Sequence, residues 1–218
     1  MVKELFKGIY SIDNRICTRN LVNGNKVYNE MLITIDGIEY RSWNPYRSKL
    51  SAAVINGLKH FGIKEGDDVL YLGASTGTTA SHVSDVVGEN GHVYCVEFSE
   101  RSMQNLLEVC EKRKNMLPVL ADAREPEKYL GMVGKVDALY QDVSAREQAD
   151  IFIANSAALK KGGYAYFVIK SQSIDISKAP NEVYKEVLGK LKDGFEVLEQ
   201  MSLEPFDSAH LFVVLRKK

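Results

Sequence analysis

The sequence predicts an α/β fold in which a mostly parallel sheet carries helices on both faces and ends in an antiparallel hairpin. From residue 49 onward, short apolar runs alternate with stretches of helical periodicity, the pattern of right-handed strand–helix–strand units. The last two apolar runs, 195–203 and 210–216, are joined by too short a link for a crossover, so they should pair as an antiparallel hairpin. Residues 1–48 lack this alternation and predict a small N-terminal antiparallel β domain, with 49–218 forming the larger domain.

Turn signals support the N-terminal β prediction. Asn23-Gly24 and Asp36-Gly37 are dipeptides that favour hairpin turns, because both residues tolerate positive φ. The residues at 26–35 and 38–43 alternate between apolar and polar, which is typical of half-buried strands. We therefore expect hairpins at both dipeptides.

The larger domain is predicted element by element. Its first helix carries apolar residues at helical spacing, at Leu50, Ala53, Val54, Leu58 and Phe61. Ser99 is the expected N-cap of one later helix and Pro180 the first-turn residue of another. The predicted strands are 68–73, 92–97, 117–121, 136–142 and 164–170, before the closing hairpin. The other helices are expected over 79–87, after Ser99, around 149–157 and after Pro180.

Composition restricts the class of protein. Hydrophobic residues make up 45% of the 218 residues, enough for a buried core. Cys17, Cys95 and Cys110 show no CxxC spacing, which argues against disulfides and zinc and favours a reducing compartment. No apolar run approaches the roughly 20 residues that span a bilayer. We expect a soluble, cytoplasmic protein without a membrane partner.

A glycine-rich turn after the first strand of the larger domain predicts a ligand site. The strand breaks at Gly73, continues through Ala74 to Gly77, and then enters a helix. Such a turn brings backbone N–H groups close to a ligand at the carboxyl edge of the sheet. A dinucleotide fingerprint would have glycine where Ser75 stands, so a dehydrogenase is disfavoured.

Three carboxylates follow successive strands and favour a nucleoside ligand. Glu97 ends the second strand of the larger domain, where a carboxylate can accept both ribose hydroxyls. Asp122 follows the third strand and is placed to accept the adenine amino hydrogens, while Asp142 ends the fourth. Phe98 is interpreted either as packing on adenine or as a core aromatic. This pattern predicts an S-adenosylmethionine site in a Rossmann-like methyltransferase fold.

The residues around these motifs resemble the fibrillarin family over nearly the whole chain. The matching segments are YLGASTGTTASHVSDVVG, VYCVEFS, LADAREPEKY, VDALYQDVS and GGYAYFVIK. RSWNPYRSKLSAA resembles that family's junction between the β domain and the methyltransferase domain. The Gly/Arg-rich tail of eukaryotic fibrillarins does not precede these segments, so the archaeal form is the closer match.

This resemblance implies S-adenosylmethionine-dependent methyl transfer to ribose 2′-hydroxyls of rRNA and tRNA, at sites chosen by a box C/D guide RNA. It implies a Nop5-type scaffold protein and an L7Ae-type RNA-binding protein as partners. The net charge of −1 agrees, since a protein that grips RNA alone usually has a basic excess. With the glycine turn, the cofactor-binding residues are predicted to be Gly73, Ala74, Gly77, Thr78, Thr79, Glu97, Phe98, Asp122, Ala123, Asp142, Val143, Ser144 and Ala145. The implied catalytic residues are Lys49, Asp142, Lys170 and His210.

The chain departs from the family pattern beside two of these residues. Ser144-Ala145 stands where members often have Ala-Gln, so the resemblance implies that a side-chain amide contact to the cofactor is missing in this chain. Ala209 precedes the histidine, whereas an acidic residue commonly does so in the family.

The chemistry of the predicted site leaves alternatives open. Lysines 49 and 170 can orient a 2′-oxygen and stabilise its developing charge, and Lys170 is the central candidate, with the proton acceptor unassigned. A methyltransferase for protein side chains and a non-catalytic scaffold are the competing hypotheses. The remaining histidines have no metal-ligand spacing, so no metal site is expected. The segment from Arg41 to Arg47, with Trp43 and Tyr46, is read either as an RNA-contacting loop or as a packed junction.

Overall fold

The computed structural model describes residues 1–218 and contains two β-sheets. The N-terminal sheet is antiparallel, with five strands in the order β1-β2-β3-β5-β4. Its strands are β1 (Val2–Phe6), β2 (Ile9–Ile12), β3 (Arg15–Arg19), β4 (Leu32–Ile35) and β5 (Ile38–Ser42).

One of the two predicted hairpin turns is present. Asp36-Gly37 joins β4 to β5, and both residues have positive φ. The prediction for Asn23-Gly24 is wrong, because this dipeptide lies in a long loop between β3 and β4, and β5 rather than β4 pairs with β3. A further tight hairpin turns at Asp13-Asn14, whose φ values of 48° and 62° suit a two-residue loop.

The second sheet has seven strands in the order β11-β12-β10-β9-β6-β7-β8. The five consecutive strands β10, β9, β6, β7 and β8 are parallel to one another. Strand β12 is antiparallel to both β10 and β11, which confirms the predicted closing hairpin. The strands are β6 (Asp68–Leu72), β7 (His92–Glu97), β8 (Met116–Leu120), β9 (Val136–Gln141), β10 (Leu159–Lys170), β11 (Phe195–Ser202) and β12 (His210–Lys217).

Helices cover both faces of this sheet, as the alternating pattern predicts. Ser99 and Pro180 occupy the N-cap and first-turn positions expected of them. The helices are α1 (Lys49–Ile55), α2 (Thr78–Val87), α3 (Glu100–Lys112), α4 (Leu130–Val133), α5 (Gln148–Asn155), α6 (Ser171–Ile174) and α7 (Pro180–Leu191). No helix combines the length and the apolarity that crossing a membrane requires.

Helix α1 is shorter than its apolar spacing predicts. It ends at Ile55, and Gly57 then adopts a φ of 92°, a left-handed conformation that favours glycine. Leu58 and Phe61 therefore lie outside the helix, although both still pack in the core on that face of the sheet. The periodicity reflected burial of the segment, and the helical assignment beyond residue 55 is wrong.

The N-terminal sheet is joined to α2 by a buried network of charges. Asp85 of α2 pairs with Arg41 at 2.9 Å and with Arg113 at 2.6 Å, and all three side chains are inaccessible to solvent. Arg41 also pairs with Glu30 at 2.7 Å, and the ring of Trp43 stacks on the buried ring of His82, 4.6 Å between centroids. Arg41 and Trp43 thus belong to a packed junction, and the RNA-contacting interpretation is wrong for these two residues. Because the junction is buried, the independence of the 1–48 domain stays a prediction.

Candidate active site

The glycine-rich turn brings β6 against the end of β9. Gly73 has a φ of 79°, and a β-carbon there would lie 2.9 Å from the carbonyl oxygen of Asp142. Gly77 has a φ of 85° at the N-cap of α2, where a β-carbon would lie 2.9 Å from a methyl of Leu106. Any larger residue at Gly73 would separate the two strand ends and strain the backbone.

Glu97 is fixed at the end of β7 by two backbone groups. The N–H of Ser75 donates to its Oε2 at 2.8 Å, and the N–H of Ser99 donates to its Oε1 at 2.8 Å. Each carboxylate oxygen keeps a lone pair that can accept a further hydrogen bond. The side chain is therefore oriented in advance to accept two hydroxyl donors, such as those of a ribose.

A cavity of about 630 Å³ opens at this edge of the sheet. That volume falls within the usual range for small-molecule sites, about 300 to 1,000 Å³. The predicted site residues on its wall are Gly73, Glu97, Phe98, Asp122, Ala123, Asp142, Val143, Ser144, Ala145 and Lys170. A second cavity, of about 640 Å³, lies between the N-terminal sheet and the end of α2 and is lined by none of the predicted site residues.

The outer wall of the cavity differs in detail from the sequence prediction. Asp122 is already engaged by Arg124, whose Nε donates to Oδ1 and Oδ2 at 3.0 Å. Hydrogen bonds from Arg124 hold the pKa of the Asp122 carboxyl below its usual range. Phe98 is 70% exposed, so of its two interpretations the core aromatic is wrong.

Four predicted cofactor residues do not line the cavity. They are Ala74, Gly77, Thr78 and Thr79. The buried hydroxyl of Thr79 donates to Ser48 Oγ at 2.9 Å, which ties the start of α2 to the start of α1. That these four residues contact the cofactor stays a prediction. In the structure, the hydrogen bond of Thr79 joins the first turns of α1 and α2.

Two lysines converge on Asp142 at the inner end of the cavity. Lys49 Nζ lies 3.1 Å from Oδ2, and Lys170 Nζ lies 2.7 Å from Oδ1. Lys170 Nζ also donates to the carbonyl oxygen of Asp142 at 2.9 Å and to Ser144 Oγ at 3.0 Å. The side chains of Lys170 and Asp142 expose only 11% and 17% of their surface, so their charges are poorly screened.

Backbone contacts set the position of each lysine. Lys49 is the first residue of α1, directly after the Ser48 N-cap, whose Oγ accepts the N–H of Ser51. Lys170 is the last residue of β10, and its backbone makes two hydrogen bonds with the side chain of Gln148. The N–H of Lys170 donates to Gln148 Oε1 at 3.0 Å, and Gln148 Nε2 donates to the C=O of Lys170 at 3.3 Å. The Gln148 side chain is fully buried. Packing inside the domain thus fixes both ammonium groups near one point.

His210 completes the cluster from the first residue of β12. Its Nδ1 lies 2.6 Å from Oδ1 of Asp207, and Asp207 Oδ2 lies 3.6 Å from Lys49 Nζ. Burial of the ring and the positive charges of Lys49 and Lys170 lower the pKa of His210, although Asp207 opposes them. The structure therefore brings all four predicted catalytic residues together, and a neutral imidazole is favoured at neutral pH.

Several residues at this site are not predicted from the sequence. Asp207 lies in the loop between β11 and β12, three positions before His210, where no spacing rule marks it. Gln148 sits on a helix with no motif around it. Arg124, Arg146, Glu147 and Ile151 line the cavity. The sequence gives one indication of the cavity-lining residues, which is their position along the chain. Segments 122–124 and 142–148 directly follow strands whose carboxyl ends face the site.

The fold and the site together define a class of protein. The protein has a mostly parallel seven-stranded sheet with an antiparallel closing hairpin, a glycine-rich turn, and a carboxylate placed to bind a ribose. These features define a Rossmann-like, S-adenosylmethionine-dependent methyltransferase. The family model for fibrillarin matches residues 1–218. The chain belongs to the fibrillarin family.

Similar proteins agree with this membership. A fibrillarin-like rRNA/tRNA 2′-O-methyltransferase from Pyrococcus furiosus is 49% identical over 221 residues, covering 99% of this chain and 97% of the relative. The crystal structure of Aeropyrum pernix fibrillarin with natively bound S-adenosyl-L-methionine has a TM-score of 0.91 at 45% identity, covering 99% of this chain and 97% of that one. A chain in a fibrillarin/Nop5p complex has a TM-score of 0.91 at 37% identity, covering 99% and 100%.

Proposed function

We propose that this protein transfers the methyl group of S-adenosylmethionine to ribose 2′-hydroxyls of rRNA and tRNA. The observation that carries the proposal is the cluster of Lys49, Asp142, Lys170 and His210 beside the cavity that Glu97 lines. The Pyrococcus furiosus relative supports the substrate class and the Aeropyrum pernix structure supports the cofactor.

The residues present fit the cofactor. Glu97 has lone pairs free for two ribose hydroxyls, and glycine at position 73 lets the end of β6 approach Asp142 without displacing it. Asp122 and Ala123 would border the base, although Arg124 must share the carboxylate. When bound, S-adenosylmethionine supplies an electrophilic methyl group on a positively charged sulfur.

The charged cluster can perform the acceptor side of the chemistry. A ribose hydroxyl is a weak nucleophile, so it must be held in place and relieved of its proton. The ammonium groups of Lys49 and Lys170 can donate to the 2′-oxygen and stabilise the negative charge that develops there. Asp142 holds the two ammonium groups together, and the neutral ring of His210 offers a nitrogen that can accept a proton.

We further propose that a box C/D guide RNA selects the target and that the protein works in a cytoplasmic particle. The expected partners are a Nop5-type scaffold and an L7Ae-type RNA-binding protein. Two facts support this assembly. The net charge of −1 suits a subunit that relies on partners to hold RNA, and a close structural relative forms a fibrillarin/Nop5p complex.

The deciding experiment measures methyl transfer from labelled S-adenosylmethionine to a guide-matched RNA. The reaction is run with the protein alone and with the scaffold, the RNA-binding protein and the guide. We expect one labelled 2′-O-methyl ribose, and only in the complete mixture. Label on protein instead of RNA would favour the side-chain methyltransferase.

A second measurement separates the scaffold hypothesis. Calorimetric titration of the purified protein with S-adenosylmethionine should give saturable binding of one equivalent. An assembled mixture in which the protein binds no cofactor and transfers no methyl would identify a non-catalytic subunit and would overturn the proposal.

A further inference from the structure

We infer that Asp207 is a positioning residue of this site, whose carboxylate holds Lys49 and His210 in one array. The inference rests on the proposed function for its consequence, but its geometry is independent of the substrate. Asp207 lies outside the four residues that the family resemblance implies.

Asp207 bridges two of those residues with its two carboxylate oxygens. Oδ1 lies 2.6 Å from His210 Nδ1, and Oδ2 lies 3.6 Å from Lys49 Nζ. Nδ1 is buried and makes no well-aligned hydrogen bond, so the 2.6 Å contact is an electrostatic one between the ring and the carboxylate. A negative charge this close to the ring stabilises its protonated form, and the second oxygen of the same carboxylate attracts the Lys49 ammonium group.

The charges around the ring alternate in sign. Lys49 at the start of α1 lies between the carboxylates of Asp142 and Asp207, and Asp142 lies between Lys49 and Lys170. Lys170 at the end of β10 is also the cross-strand partner of His210. The array thus runs His210, Asp207, Lys49, Asp142, Lys170, and Asp207 is the carboxylate that links its histidine to its lysines.

The loop that carries Asp207 is firmly held. The N–H groups of Phe206 and Asp207 both donate to the carbonyl oxygen of buried Leu203, at 2.9 and 3.1 Å. The ring of Phe206 packs edge-on against Tyr46, with 5.1 Å between centroids. These contacts explain how a loop residue can maintain a fixed distance to a ring on the next strand.

Ala209 turns the chain between the two partners. It adopts a φ of 58°, a left-handed conformation that is uncommon for alanine, and its carbonyl oxygen accepts the Ser171 hydroxyl at 3.1 Å. This turn brings the side chains of Asp207 and His210 to the same side of the loop. The residue directly before His210 has no charge, so Asp207 is the nearest acidic residue along the chain.

The experiment compares Asp207→Asn, Asp207→Glu and wild type by NMR titration of His210, whose resonances are assigned with His210→Asn. We expect the pKa of His210 to fall by about one unit or more in Asp207→Asn, since an opposite charge at this range typically shifts a pKa by about 1 to 3 units. Asp207→Glu should restore most of the difference. Glu204→Gln, an equal charge change in the same loop, should leave the pKa of His210 unchanged.

Activity supplies a second readout in the assembled mixture. We expect single-turnover methyl transfer to fall at least tenfold in Asp207→Asn, with cofactor affinity within twofold of wild type. A His210 pKa and a rate in Asp207→Asn that match wild type would overturn the inference, as would an equal loss in Glu204→Gln. Because the NMR titration needs no substrate, failure of the proposed function would leave the test of Asp207 intact.

Discussion

Lys170 and His210 lie directly opposite each other where β10 and β12 pair in antiparallel register. One is the last residue of its strand and the other is the first, so a single hydrogen-bonded pair of strands delivers both side chains to the carboxyl edge of the sheet. Parallel pairing of β9 with β10 then brings Asp142 beside them. The antiparallel closing hairpin therefore has a direct role in assembling the site.

Replacing Lys170 with alanine should abolish most of the methyl transfer. The variant removes the ammonium group that contacts Asp142 at 2.7 Å and Ser144 at 3.0 Å, and with it the proposed donor for the 2′-oxygen. We expect the single-turnover rate with bound cofactor to fall by roughly 10² to 10³, as when one preorganised donor is lost elsewhere. Lys178→Ala, at an exposed lysine paired with Glu186, is the control and should keep its rate. A near-normal rate for Lys170→Ala would remove this residue from the mechanism.

Replacing Gly73 with alanine should weaken cofactor binding. The new β-carbon would lie 2.9 Å from the Asp142 carbonyl oxygen on a backbone with φ of 79°. A left-handed non-glycine residue costs about 1 to 3 kcal/mol, and the contact would displace Asp142 as well. We expect at least a tenfold rise in Kd by calorimetry, which corresponds to about 1.4 kcal/mol. Gly189→Ala, where a β-carbon meets nothing within 4 Å, should bind normally. Equal affinities in the two variants would mean that the glycine turn does not shape the site.

The strand-end carboxylates were predictable because parallel strands present their carboxyl ends at one edge of the sheet. Glu97 and Asp142 each close an apolar run that could hardly be anything but a buried strand. The alternation of strands with helices also predicted the closing hairpin. In these cases a local pattern and a general packing rule were sufficient.

Contacts between distant loops could not be predicted in this way. Asp207 reaches His210 only because Ala209 adopts a left-handed turn, and alanine gives no signal for such a turn. The pairing of Asp85 with Arg41 and Arg113 depends on how the N-terminal sheet docks on α2, which no local pattern encodes. The hairpin predicted at Asn23-Gly24 is wrong because strand pairing over a longer distance overrides the local turn signal. Strand β5 lies beside β3, so the segment after β3 forms a loop instead of a hairpin.

Replacing Asp85 with asparagine should destabilise the whole protein. Asp85 accepts hydrogen bonds from Arg41, Arg113, the Thr18 hydroxyl and the Leu21 N–H in a site closed to solvent. Removing one member of a buried ion pair costs about 3 to 5 kcal/mol, because the remaining charge stays buried without its partner. The free energy of unfolding in urea at pH 7 measures the loss.

An exposed ion pair supplies the comparison for Asp85. Asp150→Asn removes the partner of Lys190, at 3.1 Å and with more than half of each side chain exposed. Such pairs are worth about 0 to 1 kcal/mol, so this variant should unfold close to wild type. Similar losses in Asp85→Asn and Asp150→Asn would show that the buried network contributes little to the junction.

Stability should fall in mild acid because His82 is buried in its neutral form. Burial, with the nearby charges of Arg41 and Arg113, lowers the pKa of His82 well below its ordinary value. The unfolded chain takes up a proton at His82 near pH 6.5, whereas the native state does not. The stability that the neutral ring contributes is therefore fully present above about pH 6.5, and it is lost as the pH falls below that value. A single such group contributes a slope of up to about 1.4 kcal/mol per pH unit.

Urea unfolding between pH 7.5 and pH 5 measures this slope in His82→Gln, which cannot titrate. We expect a flatter profile than in wild type, even if the variant is less stable at every pH. Some slope should remain, because the pKa of His210 is also lowered. Parallel profiles for wild type and His82→Gln would mean that His82 is not the group through which acid weakens the junction of the N-terminal sheet with α2.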